Sequence, residues 1–109
     1  MKRSKTVMGK RFEYQGSLEQ GIRIHFDDSG ADWVIPLEII EVIKSEIAKR
    51  SPVLMGASRK PLVKDSVGET LYREHGFSPQ AMSYILPLLI DSGYCTISPA
   101  RPYLIHIAG

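Results

Sequence analysis

Cysteine is almost absent. Cys95 stands alone, so no intrachain disulfide can form and the fold does not depend on an oxidising compartment. Long apolar runs are missing as well: the longest uncharged stretch, residues 75–90, contains Pro79 and Pro87 and is too short for a bilayer-crossing helix. The opening Met1-Lys2-Arg3-Ser4-Lys5 lacks the apolar core of a signal peptide, so the expected location is cytoplasmic, away from membranes. Metal-ligand spacing is lacking too. His25, His75 and His106 are scattered, and no CxxC or HxxxH pair occurs. Asp27-Asp28-Ser29-Gly30-Ala31-Asp32 has neither the alternation nor the distal glutamate of a calcium loop. Gly56-Ala57-Ser58-Arg59-Lys60 lacks the Gly-Lys-Ser/Thr ending of a phosphate-binding loop, and no GxSxG elbow activates a serine. The expectation is a non-catalytic chain without cofactor or metal.

What remains is a balance suited to one globular domain. Its 109 residues are 43% hydrophobic and 24% charged, enough for one modest core. The formal net charge is only +2, but it is unevenly spread. Residues 1–11 carry Lys2, Arg3, Lys5, Lys10 and Arg11 and no acid. Residues 12–48 carry eight acids against Arg23 and Lys44, and cations again exceed acids from residue 49 onward. The surface is therefore expected to be bipolar, with a basic side open to an anionic partner.

Periodicity divides the chain into a basic flexible tail (1–9), a β-hairpin region (10–35) and a helical region (36–107). Phe12 and Tyr14 alternate with charged neighbours, and Ile22, Ile24 and Phe26 alternate with Arg23 and His25, the two-residue period of half-buried strands. Asp27-Asp28-Ser29-Gly30 supplies a turn and Trp33-Val34-Ile35 a returning strand. Pro36 opens a first helix over 36–50, with Leu37, Ile40, Val42, Ile43 and Ile47 as its apolar stripe. Val53-Leu54-Met55 makes a very short strand. Ser66-Val67-Gly68-Glu69 has capping-box spacing for a helix over 67–75, which Gly76 ends. Ser78-Pro79 starts a third helix as cap and first residue, with Met82, Ile85, Leu86 and Leu89 buried and Gly93 closing it. Residues 94–98 and 103–107 read as a final strand pair, leaving Cys95 as a small core residue.

The segment from Ser78 to Cys95 resembles the third helix and wing opening of bacterial winged-helix regulators. Ser78, Met82, Ser83, Leu86, Leu89, Gly93 and Tyr94 occupy the characteristic places. The resemblance covers residues 36–107 and implies an α+β protein: a winged helix-turn-helix preceded by an N-terminal β-hairpin. It also implies duplex DNA as partner, as for a small regulator or recognition subunit. Gln80, Ser83 and Tyr84 would then face the bases, where glutamine can bond adenine bidentately. Ser78 would meet a phosphate at the helix N-terminus, and Arg59, Lys60, Lys64, Arg73 and Arg101 would hold the backbone.

Two features run the other way: residues 78–90 contain no Arg or Lys, and Pro87 interrupts the helix. The rival reading keeps the same fold as a protein-interaction module. In either case the acidic hairpin and first helix are the expected surface for a homodimer partner or another protein. The basic tail reads either as an arm along a nucleic-acid backbone or as a solubilising end.

Overall fold

The computed structural model describes residues 1–26 and 29–108. Seven strands and three helices follow one another among these residues: β1 (Lys2–Lys5), β2 (Arg11–Ser17), β3 (Gly21–His25), β4 (Asp32–Ile35), α1 (Leu37–Arg50), β5 (Val53–Leu54), α2 (Val67–His75), α3 (Ala81–Asp91), β6 (Cys95–Ile97) and β7 (Leu104–Ile107). The class is α+β, with two antiparallel sheets ordered β1-β2-β3-β4 and β5-β7-β6.

The N-terminal region departs from expectation. In place of a hairpin behind a flexible tail there is a four-stranded meander, and the supposed tail supplies its edge strand. Lys2, Arg3, Ser4 and Lys5 pair with Tyr14, Glu13, Phe12 and Arg11 in turn. Polarity hid this strand, because its residues face solvent or cover neighbours with their stems. Lys2 donates from Nζ to the Gly16 carbonyl at 2.8 Å, and its ammonium lies 5.9 Å from the Tyr14 ring centroid. Thr6 closes the turn: its N–H donates to the Lys10 carbonyl, and its hydroxyl accepts from the Lys10 N–H at 3.0 Å. The β3–β4 pairing matches the expected hairpin, although Asp27 and Asp28 of its expected turn lie outside the described residues.

Of the three helices only α2 has a side-chain cap. The carbonyl of Pro36, just before α1, accepts from the Ile39 and Ile40 N–H groups. Ile40, Ile43 and Ile47 of the expected stripe are buried, but Ile39 is buried in place of Leu37 and Val42, which are only half-buried. In α2 the Ser66 hydroxyl accepts from the Glu69 N–H at 3.0 Å, as the spacing requires. Glu69, however, reaches back to the Asp65 N–H at 3.1 Å, because the Ser66 N–H is already held by the Val63 carbonyl. Gly76 ends α2 in the left-handed conformation, φ 62°, a backbone region that costs glycine little. Phe77 N–H then bonds the Leu71 carbonyl at 3.0 Å, completing a Schellman-type end. The helical spiral of α3 begins at Ala81, later than expected, behind a turn in which Ser78 Oγ accepts from the Gln80 N–H at 3.3 Å.

One core joins both sheets and all three helices. Ile22, Ile24 and Ile35 from the first sheet are as fully buried as Ile43 of α1, Leu71 of α2, Leu86 of α3 and Ile105 of β7. The radius of gyration, 12.9 Å, matches the roughly 13 Å of a 100-residue domain, so the chain packs as one unit. Cys95 is buried at the start of β6, as its apolar setting suggests.

Candidate nucleic-acid interface

α3 is the central helix, and its surroundings decide what its side chains can reach. Met82, Ile85, Leu86 and Leu89 are completely buried. Ala81 and Leu88 are buried as well, so apolar contacts wrap well beyond one stripe. Tyr84 lies on this second buried side. Its ring stands edge-on to Phe12 (centroids 5.0 Å apart), Phe26 (5.9 Å) and Trp33 (5.9 Å), and Trp33 stacks in turn on Phe77 at 5.8 Å. These five aromatics fasten the first sheet to α3 and to the turn before it. Tyr84 is thus part of the packing between sheet and helix.

The third side of α3 meets β1. Pro87, Ile90 and Asp91 face residues 3–7 across a cleft of about 380 Å³. The proline that withholds an N–H from the helix thereby presents an apolar surface to an edge strand. Asp91 and burial together raise the Tyr14 hydroxyl above its ordinary pKa, burial being the larger cause.

Both ends of α3 reach solvent: Asp91 is exposed at one, and the approach to the other is open. Gln80 is exposed and Ser83 is half-buried. Ser83 lines a groove of about 480 Å³ together with Ser58 from the loop after β5, Arg101 and Tyr103 from the β6–β7 loop, and Met8 from the β1–β2 turn. Ser98 organises the β6–β7 loop: its hydroxyl lies 3.3 Å from both the Ala100 and Pro102 carbonyls and accepts from the Leu104 N–H at 2.9 Å. The exposed Arg101 at its tip sets Nη2 2.9 Å from the Met8 sulfur.

The groove lies where three acid-free stretches meet. Residues 1–12, 47–64 and 92–109 contain no Asp or Glu, and they hold every Lys and Arg except Arg23, Lys44 and Arg73. Arg59 and Lys60 follow Ser58 in an exposed loop, and Lys64 follows the groove residue Val63. Among the described residues none of Arg59, Lys60, Lys64 and Arg101 forms an ion pair. Lys5 and Arg11 face each other directly across β1–β2, a like-charge pairing that costs stability unless an anion covers it. Lys49 and Arg50 turn elsewhere. Both contact Glu46, and Arg50 also bonds Thr70 at 3.0 Å and the Asp65 carbonyl at 2.6 Å, tying α1 to α2.

The expected site residues therefore separate. Ser83 and Arg101 share the groove, and Arg59, Lys60 and Lys64 continue from its walls. Arg73 belongs to α2 and is held by Glu69 at 3.2 Å. The Asp65 N–H and the Arg73 guanidinium, in that order, keep the Glu69 carboxyl below its usual range. Ser78 spends its hydroxyl on the Gln80 N–H. Sequence reasoning reads the acid-free basic N-terminus as an arm or a solubilising tail, and misses that it forms a strand pair whose turn brings Met8 to the groove. Compared with known protein families, curated proteins and solved structures, the chain matches none of them.

Proposed function

We propose that the chain is a winged-helix protein that binds duplex DNA without catalysis, gripping the phosphate backbone beside the exposed N-terminal end of α3. The convergence of the three acid-free stretches on the groove holding Ser83 and Arg101 carries this reading. The order helix, short strand, two helices and strand pair, with the short strand paired to the last strand, supports the winged-helix assignment. Arg101 would be the wing-tip contact, Arg59, Lys60 and Lys64 further backbone contacts, and Gln80 and Ser83 the residues nearest to bases. Tyr84 is left out of it because its ring is packed in the aromatic cluster, and Arg73, exposed but paired with Glu69 on α2, is not among the four backbone contacts. The acidic strands and α1 are left as the face for a second copy or another protein.

Fluorescence anisotropy of a random-sequence duplex, titrated across salt, tests the proposal. Four phosphate contacts predict a log–log slope of roughly −4, with Lys60→Ala making it shallower by about 1. Gln80→Ala should relax preference at one base pair while leaving that slope unchanged. No binding at low salt would overturn the reading. The packing of the first sheet over Tyr84 would then favour the rival, a winged-helix adaptor that docks on protein.

A further inference from the structure

The groove beside α3 is built for more than a phosphate. Its volume, about 480 Å³, falls in the range of small-molecule sites, roughly 300–1,000 Å³. Met55, Ala57, Val63, Pro102 and the Tyr103 ring make most of its wall, whereas a surface that only tracks a backbone would be polar. Its polar side-chain groups are few: the hydroxyls of Ser58, Ser83 and Tyr103, the last donating to the Met8 sulfur at 3.9 Å, and the guanidinium of Arg101. Among the described residues, Arg101 hydrogen-bonds from its side chain only to the Met8 thioether, a weak acceptor. A guanidinium with its fork largely uncommitted, over an apolar wall drawn from stretches without acids, complements one carboxylate on a flat apolar body.

We propose that this groove binds a small planar apolar monocarboxylate, with its carboxylate on Arg101 and its ring against Tyr103 and Met8. The charge count follows from the lining. A neutral ligand forgoes the Arg101 pairing, and a second carboxylate held within the groove would meet no other cation among the lining residues. Ser58 and Ser83 stand as hydroxyl donors for the carboxylate oxygens. Because Arg101 and Ser83 also belong to the proposed duplex face, the bound acid displaces DNA; this consequence alone rests on the function proposed above.

The probe is 2-naphthoate, with neutral 2-naphthamide as its isosteric control. Isothermal titration should show the acid binding at least tenfold more tightly than the amide. Arg101→Gln, a change at an exposed loop tip, should erase that preference, and Ala57→Phe, which fills the groove, should weaken both ligands. Amide ¹H–¹⁵N shifts on adding naphthoate should centre on residues 56–58, 83 and 101–103, and the same spectra report whether each variant is folded. Equal binding of acid and amide, an unchanged preference in Arg101→Gln, or shifts centred elsewhere would each overturn the site. In the anisotropy assay naphthoate should release bound duplex. A wild-type chain that binds naphthoate but no duplex would sustain the site while removing the DNA function.

Discussion

Single residues carry the sharpest consequences where a neighbour is rigid. Gly68 sits within the first turn of α2, and in an open helix its replacement by alanine would add about 1 kcal/mol of stability. Here the sign reverses. A β-carbon at Gly68 would lie 1.7 Å from the Gly56 carbonyl oxygen, and the Gly68 N–H donates to the Met55 carbonyl at 3.1 Å, so backbone meets backbone. Overpacking of this kind costs typically 1–3 kcal/mol, and Gly68→Ala should lower stability by about 2 kcal/mol in a urea melt. Cys95 gives a chemical test at the same scale. Burial pushes its thiol from 9.0 up to about 11, which favours the neutral form. Its contribution to stability is therefore complete below pH 9.0 and declines as pH rises through about 11. A disulfide reagent at pH 8 should react at the rate of chain opening, becoming fast only in denaturant. Rapid labelling of the native chain would contradict this burial.

Among the elements, α3 differs most from its expected surroundings. Its inner face was legible from the spacing of Met82, Ile85, Leu86 and Leu89, all of which are buried. The burial of its second side was not, because a tyrosine after a serine reads equally as a contact residue or as cover. Tyr84 meets three aromatic rings, and among the described residues its hydroxyl forms no hydrogen bond. Tyr84→Ala should cost about 3 kcal/mol, within the range for emptying an aromatic site, whereas Tyr84→Phe should stay within about 0.5 kcal/mol. Thermal unfolding of the two variants separates a packing role from a contact role. Loss of duplex affinity in a stable Tyr84→Phe would return Tyr84 to the interface. The α2 cap shows the same limit of local reading. Ser66 and Glu69 have the right spacing, but which N–H Glu69 takes depends on Val63, outside the motif.

For the molecule as a whole, the N-terminal residues decide whether there is one body or a body with an appendage. With β1 paired to β2 and lying along α3, removing residues 1–9 uncovers Tyr14, Pro87 and Ile90 together. The truncated chain should lose about 2 kcal/mol, roughly 10 °C in melting temperature, where loss of a solvated tail would change it by less than about 0.5 kcal/mol. Calorimetry of the two chains measures the difference. The charge pattern acts at this scale too. Acid-free stretches separated by dozens of residues in sequence become neighbours through the pairing of β5 with β7, the bonds from Met55 N–H to the Tyr103 carbonyl and from Ile107 N–H to Ser51 Oγ, and the contacts of Met8 with Arg101 and Tyr103.

Sequence alone determined the elements whose signals are local. The alternation in β3 and β4, the Ile40, Ile43 and Ile47 part of the α1 stripe, the Ser66 half of the α2 cap, the glycine at its end and the buried cysteine each follow from side chains within a few residues. The α+β class follows from their order. Tertiary structure alone decided what covers what. Lys2–Lys5 form a strand because β2 offers an edge and α3 an apolar flank, and no local pattern encodes either. The first sheet closes over Tyr84 because Phe12, Phe26 and Trp33 arrive from three separate segments. The groove at Ser83 and Arg101 exists because loops distant in sequence end side by side. Periodicity reports which face of an element is apolar; the identity of the element that buries it is a property of the assembled chain.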